Sequence, residues 1–126
     1  MATATIAGTI SFPVASIAPV AAISIGSPTV NPTSTTAYTV TFTEQSTCSY
    51  YVLASGTQAI NFGTIASGSL VYIGTDQAIT LTINGATPAI SIAQGGFVLL
   101  SKASVTSLSV TAGATNADVQ VMILGA

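Results

Sequence analysis

The side chains in this 126-residue chain that can transfer a proton or act as a nucleophile are few: Glu44, Asp76, Asp118, Lys102, Cys48 and the four tyrosines. General acid–base chemistry needs titrating groups held close together. The chain has no histidine, so Ser–His–Asp and Cys–His catalysis and a Cys/His zinc site are excluded. Two carboxylates brought together by the fold would be the arrangement used in glycoside hydrolysis. Carbohydrate sites favour exposed aromatics, however, and tryptophan is absent. No D-x-D-x-D-G run offers a calcium loop around Asp76 or Asp118. Asp76, in "GTDQ", reads as a turn residue whose carboxylate caps its own backbone. Asn84-Gly85 and Gly95-Gly96 also read as turns, since a phosphate loop needs a following helix and a lysine. The single cysteine excludes a disulfide within the chain. Cys48 reads as a small buried hydrophobe on a strand, with no cationic neighbour to activate it. No residue is assigned to catalysis, to a cofactor or to a metal, and an enzyme is not expected.

The surface is the unusual part of the composition. Only 3% of residues are charged, against roughly 25% in an ordinary globular domain. Hydrophobic residues make up 49%, so the chain can build a normal core, and threonine, serine, alanine and glycine stand where charges usually do. Disordered chains combine low hydrophobicity with high charge, the opposite of this balance. One lysine and no arginine leave nothing to neutralise phosphates, so nucleic acid is not an expected partner. A net charge of −2 gives little repulsion between copies, which favours association. The most apolar run, "FPVASIAPVAAISIG" (12–26), is broken by Pro13 and Pro19 and is shorter than the ~20 residues a membrane helix needs. No lysine or arginine precedes it, so the expectation is a chain made in the cytoplasm, without a signal peptide.

Organisation changes near residue 34. Residues 1–34 contain Pro13, Pro19, Pro28 and Pro32, each of which lacks an N–H and favours extended chain before it. They read as an extended arm with one or two short strands. From residue 35 to 126 the chain reads as a β-domain. Its nine predicted strands are "TAYTVTFT" (36–43), "CSYYVLA" (48–54), "AINFGTI" (59–65), "SLVYIG" (69–74), "AITLTI" (78–83), "PAISIA" (88–93), "GGFVLLS" (95–101), "SVTSLSV" (104–110) and "ADVQVMIL" (117–124). Turn residues recur about every ten positions, as in an antiparallel β-sandwich or jelly-roll-like barrel. No window has the i, i+3, i+4, i+7 pattern of an amphipathic helix. Asn84-Gly85 predicts a hairpin turn, and Pro88 pushes the following strand to a sheet edge.

Alternation predicts a core of Tyr38, Val40, Phe42, Leu53, Phe62, Leu70, Tyr72, Ile79, Leu81, Ile83, Phe97, Leu99, Leu108, Val119, Val121 and Ile123, with the face of any one strand open to inversion. Tyr50 and Tyr51 are adjacent and must point to opposite faces, one toward the core. Tyr50, Tyr51 and Tyr72 are the candidates for an interface. Glu44, Asp76 and Lys102 fall in predicted turns and Asp118 at a strand start. The strand faces are therefore apolar or Thr/Ser, and a neighbour can cover them without desolvating a charge. An ice-binding face would need T-x-T repeated at even spacing, and "TVTFT" and "TLT" alone do not make such a repeat.

The stretches "INFGTIASGSLVYIGTDQAITLTING" (60–85) and "GGFVLLSKASVTSLSVTAGATNADVQVMILG" (95–125) resemble small all-β virion structural proteins of tailed bacteriophages. The shared pattern is a strand ending in Phe-Gly, an Asn-Gly hairpin, a Gly-Gly-aromatic strand and a last strand ending in Leu-Gly. It covers roughly the last half of the chain. The resemblance implies a capsid decoration, or cement, protein: a homo-oligomer, with a trimer favoured, bound to the major capsid protein on the virion surface. No membrane, nucleic-acid or small-molecule partner is implied. The alternative expectation is a subunit of an extracellular filament whose N-terminal arm donates a strand to the next copy.

Overall fold

The computed structural model describes residues 2–6, 8–11, 22–25 and 38–126. The described residues contain twelve strands and no helix, and the chain divides into two compact units, Ala2–Thr41 and one holding Phe42–Ala126. The first unit contains β1 (Ala2–Ile6), β2 (Gly8–Ser11), β3 (Ala22–Ile25) and nearly all of β4 (Tyr38–Phe42). β1 pairs with β4, and β2 pairs antiparallel with β3 from Gly8↔Ile25 to Ser11↔Ala22. Residues 1–34 thus hold three strands, where one or two were expected.

The second unit is an antiparallel β-sandwich. Its strands are β5 (Glu44–Val52), β6 (Thr57–Ala59), β7 (Gly68–Thr75), β8 (Ile79–Ile83), β9 (Ile90–Ile92), β10 (Phe97–Val105), β11 (Leu108–Ala112) and β12 (Ala117–Gly125). One sheet has the order β10-β7-β12-β5 and the other β6-β11-β8-β9. Of the two architectures expected, these two separate sheets are the sandwich. Val71, Ile73, Val119, Val121 and Ile123 of the first sheet pack on Ile79, Leu81, Ile92, Leu108 and Val110 of the second in one buried cluster. The side-chain period of two makes this possible: β11 reads buried–half–buried–half–buried from Leu108 to Ala112.

Several strand boundaries differ from expectation, each for a local or a long-range reason. "EQST" is not a turn: β5 starts at Glu44 because β12 offers it an unbroken partner from Gly125↔Glu44 to Ala117↔Val52. That pairing overrides the weak strand preference of Glu, Gln and Ser. "AINFGTI" is a strand only to Ala59. Beyond it, Gly63 has φ 64° and its N–H donates to Asn61 Oδ1 at 2.8 Å, a side-chain turn that replaces the ladder. Ile60, Phe62 and Ile65 are buried all the same. "SVTSLSV" divides between β10 and β11. The break is at Thr106 and Ser107, whose N–H groups both donate to Asn84 Oδ1, while Asn84 Nδ2 donates to the Ser104 carbonyl. Asn84 and Gly85 adopt φ 50° and 67°, and Ala86 N–H closes the turn onto the Ile83 carbonyl. That is the turn expected, although β9 begins only at Ile90. β9 is a three-residue edge strand, as Pro88 predicted. Lys102 lies inside β10 rather than in a turn, at a break in register between Ser101 and Val105.

The predicted core is correct for Phe62, Ile79, Leu81, Leu108, Val119, Val121 and Ile123, which are buried between the sheets, whereas Leu70 is buried outside that cluster. Phe42, Tyr72 and Ile83 are half-buried. Tyr38 and Val40 lie outside the residues whose side chains are described. Leu53 and Phe97 are each 64% exposed, and Leu99 is exposed as well. On β7 and β10 the inward face is the reverse of the one expected. Val71, Ile73, Val98 and Leu100 pack on the core cluster, and Leu70, Tyr72, Phe97 and Leu99 occupy the other face.

Candidate interaction face

That inversion creates the most distinctive surface of the sandwich. β10 and β7 pair with Phe97 opposite Gly74, Leu99 opposite Tyr72 and Ser101 opposite Leu70. β7 and β12 pair with Tyr72 opposite Met122 and Leu70 opposite Leu124. Directly opposed residues share a face, so these side chains form one band turned away from the second sheet. Leu70 and Leu124 are buried there, outside the inter-sheet cluster. Tyr72 and Phe97 stack, with ring centroids 5.9 Å apart. Tyr72 lies along its own strand: a methyl group at Gly74 would sit 2.6 Å from Tyr72 Oη. Gly74 therefore leaves room for a ring laid flat over the sheet, as aromatic side chains do over sheet glycines. Of the described charged side chains on the strands of this sheet, Asp118 alone is on this face, at the end of β12 and opposite Tyr51, with Asp76 beside it at the rim. Tyr51 is 62% exposed, and its Oη accepts from Asn116 Nδ2 at 2.7 Å.

The predicted chemical residues sit as follows. Asp76 and Asp118 are brought together: the Asp118 N–H donates to Asp76 Oδ1 at 2.7 Å, and the Asp76 N–H donates to the Asp118 carbonyl at 3.2 Å. Asp76 therefore caps the neighbouring strand and not its own turn. The turn cap is Thr75, whose hydroxyl bonds both the carbonyl and the N–H of Gln77. The two aspartates, Tyr72, Phe97 and Gln120 border a cavity of about 280 Å³. Glu44 lies far down β5 and accepts from the Thr64 hydroxyl. Cys48 is half-buried rather than buried, 3.8 Å from Ser46 Oγ. Gly95 and Gly96 form the expected turn, with Gly96 N–H on the Ala93 carbonyl. Among the described residues no three of His, Cys, Asp and Glu gather as metal ligands would.

Tyr50 and Tyr51 divide as expected. Tyr50 packs against the core, and its Oη accepts from the Asn61 N–H at 2.9 Å. The outer face of the second sheet is different in kind. Registers place Thr57, Thr111, Thr80 and Ser91 in one row across its four strands. Thr57 and Thr111 bond each other at 2.8 Å, so their hydroxyls serve the sheet itself. No family model matches the chain, and no curated protein or solved structure matches it.

Proposed function

We propose that this is a structural subunit of an assembled particle, a virion protein of the capsid decoration type, which docks on the major capsid protein through the outer face of the β10-β7-β12-β5 sheet. The observation that supports the reading is the band of Phe97, Leu99, Tyr72 and Met122, which lies on an outward face and has no charge along its middle. Exposed apolar patches of this kind mark interaction sites. Their burial is worth about 25 cal/mol per Å² of apolar area before the costs of association. Threonine and serine on the other exposed faces stay compatible with water and with a neighbour. The trimer and the location on the head rest on the resemblance of residues 60–85 and 95–125 to phage virion proteins.

The test is cosedimentation with purified particles from the phage that encodes the chain. Wild type is expected in the particle fraction. Phe97→Lys is expected in the soluble fraction with an unchanged circular dichroism spectrum, because Phe97 is mostly exposed. A Phe97→Lys protein that stays on the particle overturns this face as the docking surface. Wild type absent from every particle, but growing without limit as its concentration rises, moves the reading to the filament subunit.

A further inference from the structure

An antiparallel sheet with two edges invites uncontrolled pairing, and folded proteins blunt such edges with short strands, bulges, lysine or proline. Three of the four edges of this sandwich carry such devices. β6 and β9 are three residues long. β10 breaks register between Ser101 and Val105, with Lys102 in the break. β5 has none of them. It is nine residues long, pairs with β12 without a shift, and contains no proline and no lysine. Among the described residues no strand pairs with its other edge. Alternate N–H and C=O groups along that edge point away from β12.

We infer that the open edge of β5 pairs antiparallel with β5 of a second copy, joining two sandwiches through one continuous eight-stranded sheet. The sequence of the strand favours itself as occupant. When all nine residues pair, the two-fold axis passes between the two Cys48 residues. Glu44 then faces Val52 of the other copy, so the one charge of the strand meets no like charge. Thr47 faces Ser49, a hydroxyl pair that stabilises cross-strand contacts, and Gln45 faces Tyr51. Thr47, Ser49 and Tyr51 are exposed in the single chain. A two-fold axis perpendicular to the sheet leaves both apolar outer faces on the same side, so the dimer presents that band twice. The contact goes beyond the particle reading and exists with or without a particle. It also sets a two-fold interface where the resemblance suggested a three-fold one.

Cys48 is the built-in reporter. Opposed Cα atoms in an antiparallel pair are about 4.5 or 5.5 Å apart, and both separations are within disulfide range. Diamide takes up the two protons and two electrons of the two thiols, leaving a disulfide between the copies. The experiment is light scattering over a concentration series, with and without diamide, on wild type, the Thr47→Lys/Ser49→Lys double variant and Phe97→Lys. Wild type is expected to be dimeric and to cross-link at Cys48. The double variant sets lysine opposite lysine twice and is expected to weaken the dimer roughly ten-fold or more. It keeps its fold, because both positions are exposed, and it loses the cross-link. Phe97→Lys is expected to remain dimeric, so failure of the docking face and failure of the edge contact are read separately. A wild-type monomer at every concentration overturns the inference. So does an oligomer that the two lysines leave intact or that does not cross-link through Cys48.

Discussion

Asn84 does two jobs that the sequence shows only by half. Its dipeptide with Gly85 announces a turn, because both tolerate positive φ. Its side chain also holds residues 104–107, some twenty positions away, through Ser104, Thr106 and Ser107. Asn84→Gly separates the two roles. Glycine adopts φ near 50° freely, so the turn survives and only the side-chain bonds are lost. Each such bond is worth about 1 kcal/mol, and the expected cost of losing these three is about 3 kcal/mol in urea unfolding. An unchanged midpoint would mean that the break between β10 and β11 is held by something else. Asp76 is legible in the same partial way. Its place in a turn could be read, but its real partner, the Asp118 N–H, is forty-two positions away.

At the scale of the element, β7 and β10 show where pattern reading loses its hold. "SLVYIG" and "FVLLS" are apolar on both faces, so alternation cannot say which face is the core. The side chains expected inside, Tyr72, Phe97 and Leu99, lie outside because Val71, Ile73, Val98 and Leu100 fill the space between the sheets. Ile73→Ala is expected to destabilise by about 2–5 kcal/mol, the range for a fully buried aliphatic side chain. Leu99→Ala, at a partly exposed position, is expected to cost under about 1 kcal/mol. Chemical denaturation of the two variants side by side checks the assignment, and equal losses would reverse it. The proposed docking face would account for the ambiguity: a strand between a core and such a face is apolar on both sides.

For the whole molecule, the scarcity of charge bears on the association proposed above. With a net charge of −2, no long-range field guides or holds a partner. Contacts through apolar side chains and sheet edges are not screened by salt as surface ion pairs are. Raising sodium chloride from dilute buffer to about 1 M, where the Debye length falls to ~3 Å, is expected to leave both the dimer and the particle-bound fraction undiminished. Release by moderate salt would show that ionic contacts carry the assembly. The same composition explains why the edges matter. With few charges available as gatekeepers, the fold relies on short strands and a break in register to blunt three edges.

The sequence by itself determined the class and the punctuation. Threonine, valine and isoleucine alternating between Gly, Asn and Ser turns specify short antiparallel strands, and the near absence of charge specifies strand faces that are apolar or Thr/Ser. These are local properties, encoded within about ten residues of each other. Only the tertiary structure decided which face of β7 and β10 is core, that β5 extends back through "EQST", and that Asp76 meets Asp118. Each of these depends on a partner strand far away in the chain. Register and burial arise from pairing and packing across the whole sandwich, and no single stretch of sequence contains the information that selects them.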